Sequence, residues 1–135
     1  MYMTRNIILI FSSVFFLSCE KNSSEEYFDK GFDAENIGNL VSAEINYMIA
    51  CEDDNYKGCV NAGNIFMNKQ NYEQAEYAFK KACDGEYVKG CHNLGYLYTI
   101  TSQDVKKDYS KICKLYQKSC DGGFTKSCDV LKVLK

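Results

Sequence analysis

The sequence contains no proline, only one histidine and no apolar run long enough to cross a bilayer. Without proline, no position is barred from the interior of a helix, so long helices are permitted throughout. A single histidine argues against the histidine clusters of zinc hydrolases, and the absence of C-x-x-C argues against thiol redox catalysis. The lysine pairs at 80/81 and 106/107 are isolated, so the basic face that nucleic-acid binding requires is missing as well.

The first eighteen residues have the pattern of an export signal. Arg5 supplies a positive charge, and an eleven-residue apolar run follows from Ile7 to Leu17, which is too short to span a bilayer as a helix. The run ends in a serine followed by Cys19, which is typical of a bacterial lipoprotein signal. We therefore expect a signal peptide at 1–18, a lipid on Cys19 that anchors the protein to a membrane, and a polar tether at 19–26. Ordinary secretion without the lipid is the alternative.

Three segments of the remaining chain align without gaps and define a repeat. They are CEDDNYKGC, CDGEYVKGC and CDGGFTKSC, at 51–59, 83–91 and 120–128. The similarity extends to both sides, because apolar residues at helical spacing precede each first cysteine, and CVNAGNIF and CHNLGYLY follow two of the second cysteines. Residues 27–135 are therefore expected to form one all-α repeat domain, an α/α solenoid of helix pairs.

The spacing predicts seven helices joined by short turns. Their expected bounds are about 26–32, 34–51, 58–68, 71–83, 90–100, 106–120 and 127–135, with the first helix poorly formed. Gly63 and Gly95 recur in register, which predicts that a neighbouring helix comes close at both positions. His92 is expected to face solvent.

The cysteines of each repeat fall at the end of one predicted helix and the start of the next, so their sulfurs can meet. The predicted disulfides are Cys51–Cys59, Cys83–Cys91 and Cys120–Cys128. Such bonds suit an exported protein, since they persist in an oxidising compartment. Zinc ligation is the weaker alternative, because cysteines separated by seven residues do not match zinc-site spacing. Cys113 is left as a free thiol, which is either unremarkable or able to pair between molecules or react with an electrophile.

The NLGYLY run at 93–98, the A-x6-A-C helix endings and the C-x7-C turns resemble Sel1-like repeats. More closely, they resemble the Helicobacter cysteine-rich protein family. The resemblance covers roughly 34–135 and implies a solenoid related to tetratricopeptide repeats, with a disulfide in each repeat. It also implies export to the cell envelope (periplasm or outer membrane) or secretion. Members of that family are described as penicillin-binding proteins with slow β-lactamase activity.

Two functions follow as hypotheses. The first is a scaffold that binds an unidentified protein or peptide on the concave surface of the stacked helices. Aromatic side chains that could line this surface, besides filling the core, are Tyr77, Tyr96, Tyr98, Tyr116 and Phe66. The second is hydrolysis of a β-lactam or binding of a peptidoglycan-like ligand, which only the resemblance implies. The one S-x-x-K begins at Ser18, and neither S-D-N nor K-T-G occurs, so no catalytic residue, metal or cofactor is predicted.

Overall fold

The computed structural model describes residues 22–103 and 105–134, so the predicted signal peptide and the lipid site at Cys19 lie outside the described residues. All regular structure in the described part is helical, with no strand. The helices are α1 (Ser23–Asn36), α2 (Leu40–Glu52), α3 (Tyr56–Asn68), α4 (Tyr72–Asp84), α5 (Val88–Thr101), α6 (Val105–Asp121) and α7 (Thr125–Leu134). None of these seven is long and apolar enough to cross a membrane.

The helices form a linear array in two layers. Every connection between consecutive helices is three residues long, so neighbours run antiparallel, and each helix packs against the next. Helix α3 also contacts α1 and α5. The odd-numbered helices therefore make one layer, the odd layer, and α2, α4 and α6 make a second, the even layer. The predicted all-α solenoid of helix pairs is confirmed.

Asparagine caps fix where the central helices begin. Asn39, Asn55 and Asn71 each precede a helix, and the side-chain oxygen of each accepts a hydrogen bond from the backbone N–H three residues later. Such a cap satisfies a donor that the helix leaves unpaired and is worth about 1 kcal/mol. Gly38, just before the first of these caps, has a φ of 78°, which favours glycine because it has no Cβ.

The first two helices differ from their predicted bounds. Helix α1 is longer than expected and begins at Ser23, within the segment predicted as a tether. Asn22 caps it, and two glutamates in its first turn stabilise it by interacting with the positive end of the helix dipole. Helix α2 begins at Leu40 rather than at 34, since the turn at 37–39 ends α1 first. The buried residues of α1 are small, namely Ser24, Gly31 and Ala34, so its apolar periodicity is faint in the sequence.

The core lies between the layers. Its largest cluster combines big side chains with alanines and comprises Ala34, Ala43, Tyr47, Ala62, Ile65, Phe66, Ala75, Phe79, Leu94 and Leu97. At Gly63 an added Cβ would lie 2.5 Å from the Phe79 ring, and at Gly95 it would lie 3.3 Å from the Tyr116 ring. The predicted close approach at both glycines is confirmed.

The three predicted disulfides are present. Cys51–Cys59, Cys83–Cys91 and Cys120–Cys128 join Cα atoms 4.5, 4.5 and 4.9 Å apart. Each bond links the end of one helix to the start of the next, and we call α2/α3, α4/α5 and α6/α7 the stapled pairs. Among the described cysteines Cys113 alone is free, and it is half-buried on α6.

Candidate functional site

The outer surface of the odd layer carries polar side chains at the same positions of successive helices. On α3 and α5 three accessible side chains fall at i, i+4 and i+7 and form one stripe along each helix, which Asn68 and Ile100 continue. These side chains are Lys57, Asn61 and Asn64 on α3 and Lys89, Asn93 and Tyr96 on α5. We call these six residues the amide–lysine face. The recurring C-x-N of the repeat was its signal in the sequence.

Hydrogen bonds to neighbouring helices orient the asparagines of this face. Asn93 Nδ2 donates to Asn64 Oδ1 at 3.0 Å, which joins the two stripes. Asn61 lies near the buried Tyr47 of α2, whose hydroxyl donates to Glu35 of α1 at 2.6 Å. Burial, together with the bond to Glu35, raises the pKa of Tyr47 to about 12, so its hydroxyl stays protonated at physiological pH. The amides of Asn64 and Asn93 are therefore held in place across α3 and α5.

Lysines form a row along one edge of the odd layer. Lys57 and Lys89 occupy the second position of their helices, and Lys126 occupies the same position of α7. All three are exposed, and none forms an ion pair within residues 22–103 and 105–134. Helix N-termini add positive potential, because their first backbone N–H groups lack partners within the helix. This edge therefore presents three lysines beside helix N-termini, next to the exposed acidic residues Asp53, Asp54 and Glu86 of the preceding turns.

The aromatic side chains predicted to line a binding surface are not brought together. Tyr96 is about half exposed and belongs to the amide–lysine face. Tyr116 is only 3% exposed and Phe66 only 7%, so both are core residues, and their predicted place on the surface is wrong. Tyr116 packs instead against Ile112 and Leu131.

The other two tyrosines use their hydroxyl groups within the protein. Tyr77 is exposed on α4, in the even layer, and donates a hydrogen bond to Glu52 at 3.0 Å. Tyr98 is half-buried and donates to Glu76, while the Lys111 ammonium lies 3.7 Å from the centre of its ring. Burial and the bond to Glu76 raise the pKa of Tyr98. Neither tyrosine contributes to the amide–lysine face.

His92 does not face solvent as predicted but is half-buried, with its ring edge-on to those of Tyr116 and Phe124. Its Nδ1 lies 2.8 Å from the Ser127 hydroxyl, a contact that in isolation resembles a catalytic pair. Burial lowers the pKa of His92, and nearby Lys126 lowers it further, so the ring is neutral at neutral pH.

The hydrogen bonds beyond this pair show that it is structural. Ser127 Oγ contacts Ser119 Oγ at 2.8 Å, and Ser119 Oγ contacts the Val88 carbonyl at 2.8 Å. Since a carbonyl can only accept, Ser119 donates to it and must accept from Ser127, whose one proton is then used. Ser127 therefore accepts from His92 Nδ1–H, which is the reverse of what a general base requires. Ser127 is also fully buried.

Comparison with known proteins adds no identification to this geometry. No known protein family matches the sequence. No curated protein matches it either. Within the described part of the chain, no three side chains of His, Cys, Asp or Glu are grouped so that they could hold a metal ion.

Proposed function

We propose that this protein is an exported scaffold whose odd layer binds an extended acidic segment of another protein. The observation that carries the proposal is the amide–lysine face. Each asparagine offers both a donor and an acceptor, the pair that the N–H and C=O of a peptide main chain require. Lysines along the edge attract carboxylates, and Tyr96 adds a half-exposed ring for apolar contact.

The dimensions of the face suit an extended chain. Packed helices lie about 8–10 Å apart, and a peptide in the polyproline II conformation advances about 3.1 Å per residue and places every third side chain on the same side. A peptide that crosses the odd layer therefore passes from one helix to the next in about three residues. Acidic side chains at every third position would meet Lys57, Lys89 and Lys126 in turn.

Export and a lipid on Cys19 belong to the same proposal. The three disulfides support it, since such bonds form and persist in oxidising compartments such as the periplasm or the extracellular space. The signal pattern of residues 1–18 supports it as well. The stapled repeat supports kinship with the Sel1-like cysteine-rich proteins of the bacterial envelope.

Nothing in the described geometry favours β-lactam hydrolysis as a second function. The contact between His92 and Ser127 is the arrangement there that most resembles a nucleophile and its base, but the serine is buried and its proton is directed away from the histidine. The resemblance alone carries that hypothesis.

The test is fluorescence anisotropy with two labelled synthetic peptides, one with glutamate at every third residue and one with lysine in those places. We expect the acidic peptide to bind and the basic one not to bind. Lys89→Glu should weaken binding about three- to tenfold, because it replaces an attraction with a repulsion on a solvent-exposed surface. Asn93→Ala should weaken it about fivefold through one lost hydrogen bond.

Lys114→Glu is the matched control, since it makes the same charge change on α6, in the even layer. We expect it to leave the affinity unchanged within about twofold, because Lys114 is exposed on the other layer and the charges of surface groups are screened by salt. Equal losses from Lys89→Glu and Lys114→Glu would show that only net charge matters. That result, or no binding of the acidic peptide at all, would contradict the proposal.

A further inference from the structure

An aliphatic strip is exposed on the even layer at the N-terminal end of the array. It consists of Ile37, Leu40, Val41, Ile45 and Ile49, which are 81, 52, 66, 53 and 38% exposed. The last three lie at i, i+4 and i+8 and so form a continuous row along one face of α2. Single exposed apolar residues are ordinary, but a contiguous group marks a surface that contacts something apolar.

The other two helices of the even layer lack this strip at the same repeat positions. Where α2 has Val41, Ile45 and Ile49, α4 has Glu73, Tyr77 and Lys81. At those positions α6 has Ser110, Lys114 and Lys118. The strip is therefore a property of one helix and not a requirement of the repeat.

The strip carries no free charge of its own. The acidic residues of α2 are Glu44 and Glu52, and each is paired with a lysine of the next helices. Lys69 Nζ lies 2.7 Å from Glu44, and Lys81 Nζ lies 3.5 Å from Glu52. The strip also lacks aromatic and arginine side chains, which dominate the centres of protein–protein contacts. Its chemistry matches hydrocarbon better than a protein partner.

The strip lies beside the point where the chain would leave the membrane. Ser23 Oγ donates to Asp53 Oδ2 at 2.9 Å, which holds the start of α1 against the end of α2, close to Ile49. Cys19 precedes Ser23 by four residues, which span at most about 14 Å when fully extended. A lipid on Cys19 would therefore place the strip within reach of the bilayer surface.

From these observations we infer that the aliphatic strip lies on the lipid bilayer as a second membrane contact beside the lipid of Cys19. The inference rests on the proposed export and anchoring. With α2 on the bilayer, the odd layer and its amide–lysine face would point away from the membrane, towards a partner.

The experiment uses the full chain, purified from membranes and reconstituted into vesicles of phosphatidylethanolamine and phosphatidylglycerol that contain a phospholipid with a photoactivatable acyl chain. Mass spectrometry then locates the cross-linked residues. We expect label in residues 37–49 and about tenfold less in the equivalent residues 69–81. Ile45→Lys should reduce the label in 37–49 about tenfold, since it removes an aliphatic side chain that would be buried in the bilayer. Tyr77→Lys, at the same position of α4, should leave it unchanged.

The intact mass of the same sample reports acylation of Cys19 separately. Label in 37–49 on a chain whose Cys19 is not acylated would contradict the proposed lipid anchor and support the membrane contact of the aliphatic strip. Absence of label there overturns the strip whether or not Cys19 is acylated. The membrane contact of the strip would also be contradicted if Ile45→Lys did not reduce the label. A cross-link from α2 to a second copy of the chain would contradict it as well. Because Ile45 is exposed, loss of label cannot be explained by unfolding if the circular dichroism of the variant is unchanged.

Discussion

Replacing Gly63 by alanine tests how closely the two layers approach. The added Cβ would lie 2.5, 2.7 and 2.9 Å from three atoms of the Phe79 ring, and that ring is fully buried, so the ring or the helix must move. Overpacking of this kind costs about 1–3 kcal/mol, whereas alanine gains about 1 kcal/mol over glycine within a helix. We expect the free energy of unfolding to fall by up to about 2 kcal/mol.

Gly95 provides the matched control because it occupies the same repeat position on α5. Its added Cβ would lie 3.3 Å from the Tyr116 ring, which requires a shift of only a few tenths of an ångström. The gain in helix propensity offsets that shift, so Gly95→Ala should stay within about 0.5 kcal/mol of the unsubstituted protein. Urea unfolding of both oxidised variants, followed by far-ultraviolet circular dichroism, measures the difference. Equal losses at the two glycines would refute the reasoning from packing distance.

Three further predictions concern bonds between neighbouring helices. Serine at both Cys83 and Cys91 should lower the free energy of unfolding by about 2–3 kcal/mol in urea, since it removes a cross-link from the unfolded chain; no change would contradict this. Burial holds the pKa of His92 in the folded protein below its ordinary value of about 6.5, so the unfolded chain binds the proton first as the pH falls. The free energy of unfolding should therefore decrease as the pH is lowered from about 6.5. Urea titrations should show a smaller decrease for His92→Gln, and an equal decrease in both proteins would assign the effect to other groups. Tyr98→Phe leaves the Glu76 carboxylate without its donor and should cost about 1 kcal/mol in the same assay, whereas an unchanged midpoint would show that the bond adds nothing.

The repeat carried most of the information about the fold that the sequence contained. The recurring cysteine pairs predicted three turns and three disulfides, because both partners lie within one short segment and need no knowledge of distant packing. Gly63 and Gly95 predicted close helix contacts because they recur in register within the repeat. Helix α1 was harder to predict, since it buries small residues and depends on the Asn22 cap, which produces no strong apolar period.

The candidate site was less accessible to sequence reasoning. Aromatic residues were natural candidates for a binding surface, yet burial depends on which side of a helix faces the other layer, and Tyr116 turned inward while Tyr96 turned outward. A half-polar side chain such as tyrosine is compatible with either environment. His92 was misplaced because its partner Ser127 lies on α7, two helices further along the chain, and a contact between distant helices leaves no local pattern in the sequence.

The positions of the disulfides decide what a broken backbone would release. Turns at 53–55, 85–87 and 122–124 lie within stapled pairs, so a protease that cuts one of them leaves two fragments joined by a covalent bond. Turns at 37–39, 69–71 and 102–104 lie outside the disulfide loops, and one cut there separates the chain for good. The resistance of the protein to extracellular proteases would therefore depend on three of the six connections, because a single cut in any of these three separates the chain into two fragments.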